Sequence, residues 1–235
     1  MASPSKPAKV SVIIPALNEQ DSIGLVLGDI PRDLVTHMIV VDNGSTDDTA
    51  EVARAEGARV VSEPRRGYGQ ACLTGIASLP AGTDVVVFLD GDHSDHPEEI
   101  PRLLRPILED RADMVIGSRT LGTAERGALT PQQVVGNRLA CLLMRVVLGV
   151  GYTDLGPFRA IRLASLMALE MEDRSYGWTV EMQMKAIHRG LRVSEVPVSY
   201  RRRVGHSKIS GTVLGSIRAG AKILVSIARY AFDGH

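Results

Sequence analysis

Asp90 and Asp92 stand one residue apart directly after the apolar run Val-Val-Val-Phe-Leu. Two carboxylates that close repel each other unless a cation sits between them. Hard oxygen ligands without a cysteine or a paired histidine point to Mg²⁺ or Mn²⁺ rather than zinc. His93 and His96 flank the pair as further candidate ligands, with a solvated loop role as the alternative. Two other apolar runs also end in polar clusters, Pro15-Ala16-Leu17-Asn18-Glu19 and Asp42-Asn43-Gly44-Ser45. Ser45 and Thr46 read equally well as helix caps and turn formers. Basic groups lie nearby in sequence type. Arg65 and Arg66 precede Gly67-Tyr68-Gly69, which suits phosphate neutralisation at a helix start. Arg201, Arg202 and Arg203, with His206 and Lys208, make a local positive patch.

Elements that could position these groups are legible along the chain. Residues 10–14, 38–41, 59–61, 84–89 and 114–116 are short, apolar, β-branched runs, and helical patterns fill 20–29, 47–56, 69–79 and 97–109 between them. Continuous rather than alternating hydrophobicity predicts strands buried on both faces of a parallel sheet. In such a sheet ligands bind beyond the carboxyl ends of the strands, where the polar clusters fall. The second half reads as helices over 131–148, 163–170 and 178–188, then a strand over 191–200 whose Pro197 favours a sheet edge. This predicts an α/β nucleotide-binding half with an α+β half over its open edge.

Bulk properties narrow the class. The 235 residues suffice for one sizeable domain, and 27 Lys plus Arg balance 27 Asp plus Glu, so no global charge argues for nucleic acid. Cys72 and Cys141 sit in apolar contexts as buried free thiols, which fits a reducing, cytoplasmic setting. Residues 1–9 read as a disordered lead-in without a signal peptide's apolar core. No run reaches the ~18–20 apolar residues that span a bilayer. A last helix, within 211–235, carries Leu214, Ile217, Ala221, Leu224, Val225, Ala228 and Phe232 at helical spacing, with Arg218, Lys222 and Arg229 on the other side. It could lie in a membrane interface, or pack on the core or on a second subunit of a homo-oligomer.

The blocks Val-Ile-Ile-Pro-Ala-Leu-Asn-Glu (12–19), Val-Val-Asp-Asn-Gly-Ser-Thr-Asp (40–47), Arg-Gly-Tyr-Gly-Gln and Asp-Gly-Asp together resemble family 2 glycosyltransferases of the GT-A fold. The dolichyl- and polyprenyl-phosphate sugar synthases are the nearest look-alikes. Val115-Ile116-Gly117-Ser118-Arg119, Asp154 ahead of Phe158-Arg159, Glu195-Val196-Pro197-Val198 and Arg202-x-x-Gly205-x-Ser207-Lys208 extend the resemblance over residues 10 to about 210. It implies a GT-A domain over 10–210, divided into a nucleotide-sugar half (10–120) and an acceptor half (121–210), followed by the C-terminal helix.

The resemblance implies roles for single residues. Pro15, Leu17 and Glu19 would contact the nucleoside, and Asp42 the base. Arg65, Gly67 and Gly69 would meet the donor phosphates. Asp90 would hold the ribose or the metal, and Asp92 the metal bridging the diphosphate. Arg119, Arg202, Ser207 and Lys208 would meet the acceptor or the leaving diphosphate. The implied reaction is inverting transfer of a hexose from a UDP-glucose or GDP-mannose type donor to a lipid-linked phosphate. A diacylglycerol or soluble hydroxyl compound is the alternative acceptor. A hydroxyl would need a base, for which Asp154 and Glu181 are candidates; a phosphate would not. The sequence departs from the look-alikes at 130–138 and at Leu155-Gly156-Pro157-Phe158-Arg159, where the acceptor would sit.

Other classes fit less well. Gly67-Tyr68-Gly69-Gln70-Ala71-Cys72 half-matches a dinucleotide fingerprint, but Cys72 replaces its third glycine and the first strand's turn has no glycine. A sugar-phosphate nucleotidyltransferase should carry a glycine-rich basic loop where Pro15–Glu19 stands. A binding-only module should lack a member of the set Asp90, Asp92, Arg119 and Lys208, all of which are present.

Overall fold

The computed structural model describes residues 7–205 and 224–230. Its strands are β1 (Val10–Ala16), β2 (Val35–Asp42), β3 (Arg59–Ser62), β4 (Val85–Phe88), β5 (Met114–Ala124), β6 (Arg159–Arg162) and β7 (Val193–Tyr200). They form one seven-stranded sheet in the order β3-β2-β1-β4-β6-β5-β7. Only the two ladders made by β6 are antiparallel, so β6 runs against the other six strands.

The helices are α1 (Ile23–Gly28), α2 (Thr49–Ala55), α3 (Tyr68–Ala77), α4 (Ile100–Leu108), α5 (Pro131–Leu148), α6 (Leu163–Ala168) and α7 (Trp178–His188), with α8 over 224–230. The period of two in a strand divides them into two layers. Val12 and Ile14 of β1, Met38 and Val40 of β2, and Val85 and Val87 of β4 pack with α1, α2 and α4. Ile13, Ile39, Val41, Val86 and Phe88 point the other way, into α3, α5, α6 and α7. Both faces are therefore covered, as continuous apolar runs require. Phe88 meets Trp178 edge to face at 6.0 Å and so ties β4 to α7.

The second half differs from the sequence expectation. Its strands do not build a separate layer over an open edge; they continue the same sheet, with β7 at its margin as Pro197 predicts. The sequence reading misses β6 because its four residues, Arg-Ala-Ile-Arg, look charged at both ends. Arg159 is nonetheless wholly buried, and its guanidinium donates to the carbonyls of Thr179, Leu155 and Gly156.

The terminal helix also differs where it is described. Ser226, Ile227 and Tyr230 face the core, whereas Leu224 and Val225, assigned to the apolar face, are exposed, as is Ala228. Arg229 and Lys185 lie over the Tyr230 ring, so this stretch packs on α7. The rest of the expected helix, the 1–6 part of the lead-in, and Ser207 and Lys208 lie outside the described residues. Among the described residues no helix is long and apolar enough to cross a membrane.

Gly67 and Gly69 start α3 against the loop ahead of α7. A Cβ at Gly69 would overlap the Asp173 carbonyl oxygen, and one at Gly67 the Arg174 carbonyl oxygen. That close approach lets Gly69 and Gln70 donate their N–H groups to the Ser175 and Arg174 carbonyls at 3.2 and 3.0 Å. Backbone cannot yield as a flexible side chain would. Gly69→Ala should cost about 1–3 kcal/mol, the usual range for overpacking. In a thermal melt this lowers Tm by roughly 2–4 °C per kcal/mol for a domain this size; an unchanged Tm would contradict the tight approach.

Candidate functional site

The carboxyl ends of β1, β2 and β4 share one rim, and a cavity of about 170 Å³ opens there. At ~10–15 Å³ for each water this is far more than a packing gap. Pro15, Leu17, Glu19, Gly67, Asp90 and Asp92 line it, as the sequence reading expects of donor-site residues. Arg66 and Arg203, read from the sequence only as members of basic clusters, line it too, as do Asn43, Tyr68 and Tyr176, to which the sequence reading assigns no role.

Several expected residues face elsewhere. Arg65 turns back on Glu63, its Nε and Nη2 each donating at 3.1 Å, and it is Arg66 that reaches the cavity while donating to the Gly44 carbonyl at 2.8 Å. Gly69 serves the approach to the loop before α7. Asp42 accepts the Ser45 N–H at 2.8 Å and braces its own turn; its neighbour Asn43 lines the cavity. Asn43 donates to the Glu63 and Arg65 carbonyls at 2.9 and 2.7 Å and accepts the Gly67 N–H at 2.8 Å. Glu63 also accepts from Gln70 and Thr74 at 2.8 and 2.7 Å. The Arg65 hydrogen bonds, with these others, hold its carboxyl well below the usual range. This clamp fixes the loop that carries Arg66 and Tyr68.

The acidic corner is different in kind. Asp92 accepts the Ser94 N–H at 2.9 Å on one oxygen and the Arg203 guanidinium on the other. Asp90 is half-buried beside it, close to the Tyr68 side chain, with its inner oxygen Oδ1 buried and unpaired. Burial first, and the Asp92 charge second, push Asp90 up to about 7. Asp95 lies behind the pair. It accepts the Asp90 N–H at 3.4 Å, keeps a buried oxygen unpaired, and is raised by burial and by both neighbouring carboxylates.

Extended backbone brings the cations. Arg201 donates its N–H to the Ser94 carbonyl at 2.9 Å and Val204 to Asp92 at 3.0 Å, so residues 201–204 run alongside 92–94. Alternation then sends Arg201 to Asp29 and Arg203 to Asp92, while Arg202 leaves on the opposite side to donate to the Arg126 carbonyl. Arg202, expected at the acceptor, gives way to Arg203 at the cavity. His93 and His96 are paired with Asp29 and Glu98, each at 2.8 Å.

Arg119 and Asp154 form a second, neighbouring centre. Arg119 donates from Nη2 at 2.6 Å, and from Nε and its backbone N–H at 2.8 Å, so both Asp154 oxygens are engaged. Burial pulls the Arg119 guanidinium down, but Asp154 outweighs it and holds the charge firmly. Tyr200 lies 5.0 Å beneath it. Glu181, the other candidate base, is fully buried, accepts the Glu172 and Asp173 N–H groups at 2.8 Å, and pairs with Lys185. Neither carboxylate is placed to take a proton from a substrate.

Among the described residues no three carboxylate, histidine or cysteine side chains converge as a cation cage. Asp90 and Asp92 fit a hard divalent ion that draws its remaining ligands from a diphosphate and water, the usual arrangement for Mg²⁺. The unpaired Asp90 oxygen and its raised pKa mark negative charge that a cation would relieve.

The sign of that strain is testable without activity. A carboxyl that titrates near 3.9 when unfolded but about 7 when folded binds more protons in the folded state across that interval. Its contribution makes metal-free protein lose stability as pH rises from about 4 to 7. Asp90→Asn should flatten the slope of Tm against pH and raise Tm at pH 8. An unaltered slope would contradict the buried charge.

The sequence matches the Glycosyl transferase family 2 profile over residues 11–169. An uncharacterized glycosyltransferase of Mycobacterium tuberculosis is 38% identical over 211 residues, 89% of this chain and 94% of its own. An undecaprenyl-phosphate mannosyltransferase of Micrococcus luteus is 34% identical over 221 residues, 88% of this chain and 90% of its own. Among solved structures, glucosyl-3-phosphoglycerate synthase from Mycobacterium tuberculosis, in complex with Mn²⁺, UDP-glucose and phosphoglyceric acid, aligns with a TM-score of 0.78 at 27% identity, over 95% of this chain and 80% of that one. The mixed sheet, its acidic rim and these matches agree on one assignment: the chain has the GT-A fold and belongs to glycosyltransferase family 2.

Proposed function

We propose that the enzyme transfers a hexose from a nucleotide-diphosphate sugar to a lipid-linked phosphate such as polyprenyl phosphate, inverting the anomeric centre. The donor half rests on family membership and on the cavity at the ends of β1, β2 and β4. One observation carries the acceptor half. Asp154 has both oxygens on Arg119, and Glu181 is buried on backbone and Lys185. An acceptor that is already an anion needs no general base; a hydroxyl does. The Micrococcus luteus relative, named for undecaprenyl phosphate, supports the same reading.

In the reaction an acceptor phosphate oxygen attacks the anomeric carbon as the bond to the donor diphosphate breaks, and that bond's electrons leave with the diphosphate. No proton changes hands. Asp90 and Asp92 would hold a divalent ion, which neutralises the diphosphate when bound. Arg203 exchanges Asp92 for the diphosphate and stabilises the charge that develops there. Leu17 and Pro15 wall the nucleoside end, and Asn43 keeps the loop bearing Arg66 and Tyr68 in place. Arg119, fixed by Asp154 against Tyr200, forms the acceptor-side wall.

Transfer should be assayed from UDP-glucose and GDP-mannose, each with Mg²⁺ and with Mn²⁺, to polyprenyl phosphate, diacylglycerol and 3-phosphoglycerate. A glycosyl polyprenyl phosphate of inverted configuration is the expected product. Hydroxyl glycosylation with the lipid phosphate ignored would overturn the reading. Arg203→Ala should lower kcat/KM by about 10²–10³, the typical loss for one charge-stabilising donor. Arg202→Ala should stay within about three-fold, since an exposed contact is worth under about 1 kcal/mol. Equal losses from both would contradict the alternation that selects Arg203.

A further inference from the structure

Helix α5 is apolar on two opposite faces. Ala140, Cys141 and Met144 are buried against the core. Val135, Leu139, Leu142 and Val146, spaced i, i+4, i+7 and i+11, are 64%, 46%, 57% and 75% exposed. At about 100° per residue these four fall within an arc of roughly 60°, facing away from the buried three. Single exposed apolar residues need no explanation, but a contiguous stripe marks an interaction surface.

The charge around the stripe selects its occupant. Residues 126–150 contain Arg126, Arg138 and Arg145 and no aspartate, glutamate or lysine. Arg138 and Arg145, seven residues apart, lie along one edge of the stripe, and both are exposed. An apolar stripe whose only charged neighbours on the helix are cations matches the boundary between acyl chains and anionic headgroups. A second copy fits worse: two-fold antiparallel packing of this face would set Arg138 of one copy near Arg145 of the other with no acid to separate them. Nor can the helix cross the bilayer.

The helix is also tied to the acceptor-side wall. The Asn137 amide donates to the Thr153 carbonyl at 3.1 Å and accepts the Leu155 N–H at 3.0 Å. These residues bracket Asp154, which holds Arg119. A lipid surface seated on α5 is thus mechanically joined to the loop that positions Arg119.

We infer that α5 docks the enzyme flat on an anionic lipid surface through Val135, Leu139, Leu142 and Val146, with Arg138 and Arg145 on the headgroups. The inference gains its purpose from the lipid-phosphate acceptor but is tested separately from it. The full chain should float with vesicles of phosphatidylcholine containing about one-third phosphatidylglycerol, an anionic surface of the kind such helices bind. Leu142→Glu with Val146→Glu should cut the bound fraction at least about ten-fold, by placing charge in the apolar layer. Arg138→Gln with Arg145→Gln should remove the dependence on phosphatidylglycerol. The Leu142→Glu with Val146→Glu variant should keep wild-type nucleotide affinity and wild-type transfer to a short, water-soluble prenyl phosphate, while transfer to polyprenyl phosphate in vesicles falls with binding. If the glutamates unfold the chain, Leu139→Ser with Val146→Ser makes the same test. Failure of the wild type to float, or variants floating equally well, would overturn the inference. So would variants that turn a dimer into a monomer by light scattering without changing flotation, which would give the face to a second copy. Stripe-dependent flotation with no transfer to either prenyl phosphate would instead refute the acceptor assignment and leave the docking face standing.

Discussion

Asp90, Asp92 and Asp95 are packed into six consecutive residues at the carboxyl end of β4, Asp92 and Asp95 buried and Asp90 half-buried with one oxygen shut off from water. Burying like charges together is unfavourable, and the cost appears as the raised pKa of Asp90 and Asp95 and as unpaired oxygens on each. Much of the surrounding architecture answers this one electrostatic problem. Residues 201–204 lie along 92–94 and bring Arg203 onto Asp92. The β5–β6–β7 extension carries Arg119 and Tyr200 to the rear of the cluster. The compensation is incomplete, and the remaining negative charge is what a cation-bound diphosphate would meet.

The rest of the rim is satisfied and therefore stiff. Asn43 uses both its amide groups on the 63–67 loop, Glu63 gathers Arg65, Gln70 and Thr74, and Gly67 and Gly69 let that loop lie on the backbone of 173–175. Asp154 likewise spends both oxygens on Arg119, and Glu195 accepts the Thr153 and Asp154 N–H groups that support it. Rigid, neutralised walls around one strained corner are how a folded chain holds binding energy ready at a chosen point. In the proposed reaction the strained corner would meet the donor, while Asp154, held on both oxygens by Arg119, is not free to act as a base.

Much of this was legible in the sequence where local rules dominate. Apolar runs gave β1 to β5, because strands buried on both faces cannot alternate. The helices at 131–148 and 178–188 were bounded correctly. Thr130-Pro131 with Gln133 supplies a full capping box at the first, and Gly149 at φ 69° closes it. The Asp-x-Asp pair and the Pro15–Glu19 turn pointed to the cavity they line. What failed was set by long-range geometry. The strand β6 hides behind Arg159 and Arg162, because a buried guanidinium satisfied by carbonyls has no apolar signature. The choice of Arg203 over Arg202, and of Arg66 over Arg65, depends on which way an extended or turning backbone faces. Asn43 lay inside a block already noticed, but its role as a clamp exists only once β2 and β3 are paired. Tyr176 sits in a stretch without periodicity and carried no signal.

Excess charge on Asp90 and Asp92 would recruit a metal–diphosphate rather than serve the fold. Calorimetric titration of UDP and GDP, with and without Mn²⁺, into wild type and Asp92→Asn decides this. The preferred nucleotide should bind wild type at least about ten-fold more tightly with Mn²⁺, a difference of ~1.4 kcal/mol, and Asp92→Asn should lose this gain while remaining folded. Equal affinity with and without Mn²⁺ in both proteins would contradict it.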